Sequence, residues 1–244
     1  MTAPYDYPSI AKMIDHALLQ PFLTTDELEA GCRLALTYDV ASVCILPYYV
    51  KRAGEILRGS GVQPSTTIGF PHGTHTTNIK LAEARQALQE GATELDIVIN
   101  ISKAKSGDWN YVGGEIALLT KETHAAGAKI KIIFENAYHD EKSKIELCRI
   151  SGEAGADWVK TSTGYAPTGA TLDDLRLMRK HSPTHVQVKA AGGIRDLDTI
   201  LAAREIGVTR VGASRTSDIL EDCRKRLGLP PITIATSGAV ASSY

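Results

Sequence analysis

The chain has 244 residues, 43% of them hydrophobic and 23% charged, with a formal net charge of −1. That length suits one α/β barrel of roughly 250 residues or two small domains, and a charge near zero argues against nucleic acid or an anionic membrane as partner. No apolar run approaches the roughly 20 residues of a membrane span, and the N-terminus has no signal-peptide pattern.

Short apolar runs alternate with amphipathic stretches along the chain. A strand is expected at 13–16, then a helix over 25–38, opened by the capping type Thr25 with Glu27 and Glu29 behind it. Strands at 40–46 and 66–70 follow, then a helix at 78–90 that stops at Gly91 before a strand at 94–101. A helix at 114–126 ends in Gly127 ahead of a strand at 130–136, and one at 140–154 ends in Gly155 ahead of a strand at 158–164. Thr171, with Asp173 and Asp174, opens a helix over 171–180 before a strand at 186–192. The last unit is a helix at 197–206, Gly207 and a strand at 210–214. Eight strands, each followed by helix or loop, fit a single-domain (β/α)8 TIM barrel over residues 1–229 better than an open doubly wound sheet. Residues 230–244, rich in Ser, Ala and Thr, read as a mobile tail.

The four cysteines, Cys32, Cys44, Cys148 and Cys223, are scattered with no CxxC pair, so neither a zinc site nor a disulfide framework is indicated. A reducing cytoplasm is the expected compartment. His72 and His75 are close enough to suggest a metal, but no third ligand of matching spacing accompanies them, and no metal or cofactor is expected.

Side chains alternate across a strand, and the outward set of a barrel must be apolar to pack on helices. Ile130, Ile132 and Phe134 form that set in one strand, which turns Lys131, Ile133 and Glu135 inward. Leu95, Ile97, Ile99 and Ile101 leave Glu94, Asp96, Val98 and Asn100 inside. Outward Val159, Val186 and Val188 leave Lys160 and Lys189 inside, and outward Val43 and Ile45 leave Ser42 and Cys44 inside. Three lysines and Asp96 thus converge from four consecutive strands, where an ordinary barrel core holds branched apolar side chains. A single such lysine could be an ion-paired structural group reaching the rim; the set points to chemistry.

A free lysine is only about 0.1% neutral amine at pH 7.4. A second ammonium at about 4 Å, with an effective dielectric near 20, contributes roughly 4 kcal/mol against its protonation, about 3 pKa units. A lysine so activated can form a Schiff base with a carbonyl, and the iminium then stabilises a neighbouring carbanion. Asp96 is the inward carboxylate best placed to shuttle protons through water. Parity does not distinguish Lys160 from Lys189. Gly192-Gly193 and Gly212-Ala213-Ser214-Arg215 end the last two strands, where barrels often bind phosphate, and Arg195 and Arg215 lie near.

Together these residues resemble the deoxyribose-phosphate aldolase family of class I, Schiff-base aldolases. The resemblance runs from about Ile14 to Leu220 and rests on Ile14-Asp15-His16, Ser42-Val43-Cys44, Gly69-Phe70-Pro71-His72-Gly73 and Glu94-Leu95-Asp96. Lys160-Thr161-Ser162-Thr163-Gly164 and Lys189 with Gly192-Gly193-Ile194-Arg195 complete it. It implies reversible cleavage of 2-deoxy-D-ribose 5-phosphate into D-glyceraldehyde 3-phosphate and acetaldehyde. It further implies Lys160 as the Schiff-base lysine, Lys189 as the partner that depresses its pKa, and Asp96 as acid/base. By the same resemblance Asp15, Cys44, Lys131 and Thr161 line the substrate cavity, and Gly164, Gly192, Gly193 and Ser214 hold phosphate. Arg215 could strengthen that clamp or narrow the pocket. The terminal Tyr244 resembles the tail tyrosine that assists proton transfer at the α-carbon. Departures from the family pattern are Asn136 after Glu135, Tyr165-Ala166-Pro167-Thr168 after Gly164, Arg215, and the Ala190-Ala191 pair. The alternatives are an aldolase of the same barrel for another sugar phosphate, a non-catalytic phosphosugar-binding barrel, and a metal-dependent aldolase. The expected partners are small aldehydes and a sugar phosphate, with a homodimer as the assembly.

Overall fold

The computed structural model describes residues 5–232. In chain order the elements are α1 (Tyr7–Ala11), β1 (Ile14–Leu18), α2 (Thr25–Tyr38), β2 (Ser42–Ile45), α3 (Val50–Leu57) and β3 (Gln63–Ile68). They continue with α4 (Thr77–Gln89), β4 (Glu94–Val98), α5 (Ile101–Lys105), α6 (Trp109–Ala125), β5 (Lys129–Ile133) and α7 (Glu141–Glu153). The last are β6 (Trp158–Lys160), α8 (Leu172–His181), β7 (Gln187–Ala191), α9 (Leu197–Ile206), β8 (Arg210–Ala213) and α10 (Thr216–Arg226). The eight strands pair in parallel in sequence order, and β8 closes on β1. The single-domain (β/α)8 barrel is therefore the fold.

The core lies between strands and helices. It contains the outward residues Val43, Ile45, Leu95, Ile97, Ile130, Ile132, Val159 and Val188, all removed from water. Their burial is the main force holding helices on the barrel. Partners across parallel strands face the same side, so the register carries this division around the barrel. Asp96 pairs with Lys131, Lys160 with Lys189, and Lys189 with Arg210.

Several expected boundaries shift. The strands at 94–101, 130–136 and 158–164 end earlier, at Val98, Ile133 and Lys160. Asn100 turns the chain into α5 by accepting a hydrogen bond from Lys103 N, and Glu135 takes a left-handed backbone (φ 60°) that no strand contains. Most residues just past the strand ends, such as Ile99, Phe134 and Thr161, are still buried, so they look like strand in sequence. Thr24, not Thr25, caps α2, in a reciprocal capping box with Glu27. α6 starts well ahead of 114 because Gly113 and Gly114 lie inside the helix rather than before it. Within the segment expected to be mobile, Pro230 O accepts from Arg224 and Ile232 N donates to Glu221. Residues 233–244, and with them Tyr244, lie outside the described residues.

Candidate active site

Seven charged side chains fill the barrel interior. Asp96 Oδ2 accepts from Lys160 Nζ and from Lys189 Nζ, each at 2.7 Å, and Asp96 Oδ1 accepts from Lys131 Nζ at 2.8 Å. Lys189 also pairs with Asp15 Oδ2 at 2.5 Å. Lys131 donates to Glu94 Oε2 at 2.5 Å, and Arg210 bridges Asp15 Oδ1 and Glu94 Oε2, both at 2.6 Å. Ser42 Oγ donates to Asp15 Oδ1 at 2.7 Å. Buried charges are tolerated only when paired and hydrogen-bonded, and each of these is. Below them, at the start of β6, lies Trp158, with Lys131 at 5.8 Å and Arg210 at 5.3 Å from its ring centroid.

The electrostatics separate the two lysines that sequence parity could not. Burial opposes charge on both. At Lys189 the carboxylates of Asp15 and Asp96 outweigh burial and hold its pKa above the ordinary lysine value. Lys160 has Asp96 alone; burial, with Lys189 beside it, outweighs that single carboxylate and lowers its pKa. Burial would raise Asp96, but Lys131, Lys160 and Lys189 hold its carboxyl well below the usual range. Asp15 is likewise held down, by Lys131, Lys189 and Arg210 against burial. Burial pushes the Cys44 thiol up, so it is a neutral wall group.

A cavity of about 190 Å³ opens above this network at the C-terminal ends of the strands. Lys160, Lys189, Asp15 and Cys44 form its inner part. Gly164, Gly192, Gly193, Ser214 and Arg215 line its outer part. Gly164, Gly192 and Gly193 have φ of 90°, 82° and 81°, a left-handed conformation open to glycine. Gly169 crosses Gly192 so closely that a Cβ on Gly192 would stand 2.8 Å from Gly169 Cα. Ala170 N bonds both Ala191 O and Gly192 O at 3.0 Å, joining the loops after β6 and β7.

Three expected residues are not on the cavity wall. Asp96 and Lys131 lie beneath it, fully buried in the ion network. Thr161, expected on the wall, instead clips β6 to β7: its hydroxyl donates to Ala191 O and accepts from Ala191 N, both at 3.0 Å. Its position just past the strand end turns it against the neighbouring backbone. Arg215 reaches the cavity, but its guanidinium is held by Asp218 at 2.8 Å. Arg195 lines the same space and makes no ion pair among the described residues.

Sequence reasoning placed Glu94 inside the barrel without joining it to the lysines, and it missed Arg210. Arg210 was readable from parity, since Val211 and Ala213 pack outward in the core. Also missed was the clamp on the loop after β6, where Glu135 accepts from Thr163 N at 3.2 Å and closely from the Thr163 hydroxyl. Burial raises the Glu135 carboxyl pKa. Tyr165, one of the departures from the family pattern, reaches across the mouth and donates to Leu19 O at 2.9 Å. His75 lies 3.5 Å from Glu83, whereas His72 lines a separate, adjoining cavity. No cluster of metal-ligating side chains occurs among the described residues.

A family described as DeoC/LacD family aldolase matches residues 9–214. The chain is 59% identical over 237 residues to a deoxyribose-phosphate aldolase of Rhodopirellula baltica, covering 97% of this chain and 98% of that one. It is 46% identical over 219 residues to the deoxyribose-phosphate aldolase of Caldanaerobacter subterraneus, covering 89% and 95%. Among solved structures, the tetrameric deoxyribose phosphate aldolase of Aeropyrum pernix superposes with a TM-score of 0.84 at 31% identity, covering 91% and 93%.

Proposed function

Since the chain belongs to the DeoC/LacD aldolase family, we propose that it reversibly cleaves 2-deoxy-D-ribose 5-phosphate to D-glyceraldehyde 3-phosphate and acetaldehyde through a Schiff base on Lys160. The observation that carries this reading is the asymmetry of the two lysines at one carboxylate. Lys160 has one anionic partner and faces the cavity; Lys189 has two. The less neutralised amine sheds its proton more easily and is the nucleophile.

Neutral Lys160 adds to the C1 aldehyde of the open-chain sugar, and loss of water gives the iminium. The C3 hydroxyl gives up its proton through a water to Asp96, held as a carboxylate. The C2–C3 bond breaks, its electron pair enters the iminium, and D-glyceraldehyde 3-phosphate departs. The remaining enamine is protonated at C2 and hydrolysed, which returns Lys160 and releases acetaldehyde. The proton taken up by Asp96 is passed back through water to C2, with Tyr244 as the proposed relay, so both residues end in their starting states. Lys189 stays an ammonium throughout, opposing a proton on Lys160. Peptide N–H groups around Gly164, Gly192, Gly193 and Ser214 would hold the phosphate, with Arg195 supplying the cation. The pairing of Arg215 with Asp218 favours a wall role for that residue.

Borohydride with acetaldehyde tests the chemistry. It should trap an adduct that mass mapping places on Lys160; an adduct elsewhere, or none, sinks the mechanism. Retro-aldol rates on several phosphosugars test the substrate, and the deoxyribose phosphate should lead. A cytoplasmic location fits this reading: among the described residues no helix is long and apolar enough to cross a membrane. The assembly proposed is a homodimer. Ile79 on α4 and Leu118 on α6, each about half exposed, are the apolar residues offered for its contact, and light scattering decides it.

A further inference from the structure

The interior network is not charge-balanced. Its cations are Lys131, Lys160, Lys189 and Arg210; its carboxylates are Asp15, Glu94 and Asp96. Fully charged, it carries one positive charge too many among side chains that are almost entirely buried. A buried excess charge is costly, and the least costly remedy is loss of a proton from the cation with the fewest anionic partners. Lys131 has three such partners, while Lys189 and Arg210 have two each and Lys160 has one. Arg210 cannot yield a proton, because a guanidinium remains charged in proteins.

We infer that Arg210, at the start of β8, is a positioning residue that sets the proton count of the network and thereby keeps Lys160 a neutral amine. Its guanidinium occupies Asp15 and Glu94, so neither has a full negative charge to spare for the lysines above. The route is continuous: Arg210 holds Asp15, Asp15 holds Lys189, and Lys189 shares an Asp96 oxygen with Lys160. Two other ionisable groups near Lys160, Cys44 and Glu135, are common to the parent and to every variant below, so they do not enter the differences. Cys44 on β2 is a neutral thiol raised by burial. Glu135, past the end of β5, is bonded to Thr163 and acts on Lys160 through space, without touching Arg210 or Glu94. The inference rests on Lys160 being the Schiff-base lysine.

The test follows the pH dependence of borohydride trapping with acetaldehyde in the full-length protein. Arg210→Leu should move the midpoint alkaline by about one pH unit, roughly a tenfold loss of adduct formation at neutral pH, with recovery at high pH. Arg210→Lys, which keeps the charge, should hold the midpoint near that of the parent. Glu94→Gln keeps an oxygen for Lys131 and Arg210 but removes a negative charge, so it should move the midpoint the opposite way. The double variant should fall back between the two. A merely structural role lowers amplitude without opposite shifts. Midpoints that stay put in folded single variants, or move in the same direction, overturn the inference. Should Arg210→Leu fail to fold, the direction in Glu94→Gln decides alone, and an unmoved or alkaline midpoint overturns it. A parent adduct mapped away from Lys160 would sink the aldolase mechanism itself; a parent adduct on Lys160 with unmoved midpoints sinks only the role of Arg210.

Discussion

Replacing Lys189 with leucine removes one of two ammonium groups that share Asp96 Oδ2. Each nitrogen stands 2.7 Å from that oxygen, so the two are at most twice that distance apart. At about 5 Å and an effective dielectric near 20, their repulsion is about 3 kcal/mol, or about 2 pKa units. The sign follows directly. Loss of a neighbouring cation favours the protonated form of Lys160, so its pKa rises and the reactive amine appears only at higher pH. In Lys189→Leu the rate of adduct formation with acetaldehyde should fall about a hundredfold at neutral pH, and its midpoint should move alkaline by about 2 units. Stopped mixing with borohydride, followed by quantitative mass spectrometry across pH 6 to 10, measures this. A uniform depression at every pH, with the midpoint unmoved, would refute the electrostatic argument and leave Lys189 as a proton donor or a packing group.

Gly192→Ala places a Cβ at φ 82° and within 2.8 Å of the Gly169 backbone. It should destabilise the fold by about 1–3 kcal/mol and raise KM for the phosphorylated substrate more than for unphosphorylated deoxyribose; equal KM changes would remove the loop from phosphate binding. Burial holds His16 neutral by pulling its pKa down to about 4. Its contribution to stability is complete above the unfolded value of about 6.5 and is lost as pH falls from there towards 4. Urea midpoints should therefore decline over that window, and less steeply in His16→Gln; identical slopes would clear His16. Deleting Tyr244 should slow exchange of the acetaldehyde methyl protons while leaving thermal unfolding unchanged, and unaltered exchange would dismiss a role for that residue.

Side-chain alternation around outward Ile130, Ile132 and Val159 was enough to place Lys131, Lys160 and Asp96 in one interior, because an outer face packed on helices tolerates little but apolar residues. Alternation says which side a residue faces, not how far along the barrel its head group lies. Asp96 and Lys131 were for that reason indistinguishable from wall residues, although both sit beneath the cavity. Thr161 shows a related limit: beyond a strand end the alternation no longer operates, and its hydroxyl serves the neighbouring strand. The difference between Lys160 and Lys189 depends on Asp15, contributed from the far end of the chain. No local pattern contains that contact.

Trp158 lies beneath the ion network with Lys131 and Arg210 against its ring, and the cavity above opens at the C-terminal ends of the strands. Reactants and products share that doorway. In the proposed reaction the phosphate-bearing fragment stands nearer that doorway, and the two-carbon fragment remains tethered behind it on Lys160. Departure is then ordered: the triose leaves first, and hydrolysis of the tethered fragment then frees acetaldehyde. Running in reverse, acetaldehyde must load first, because the enamine that attacks the triose is formed on Lys160, and the order of events is set by where the covalent bond sits.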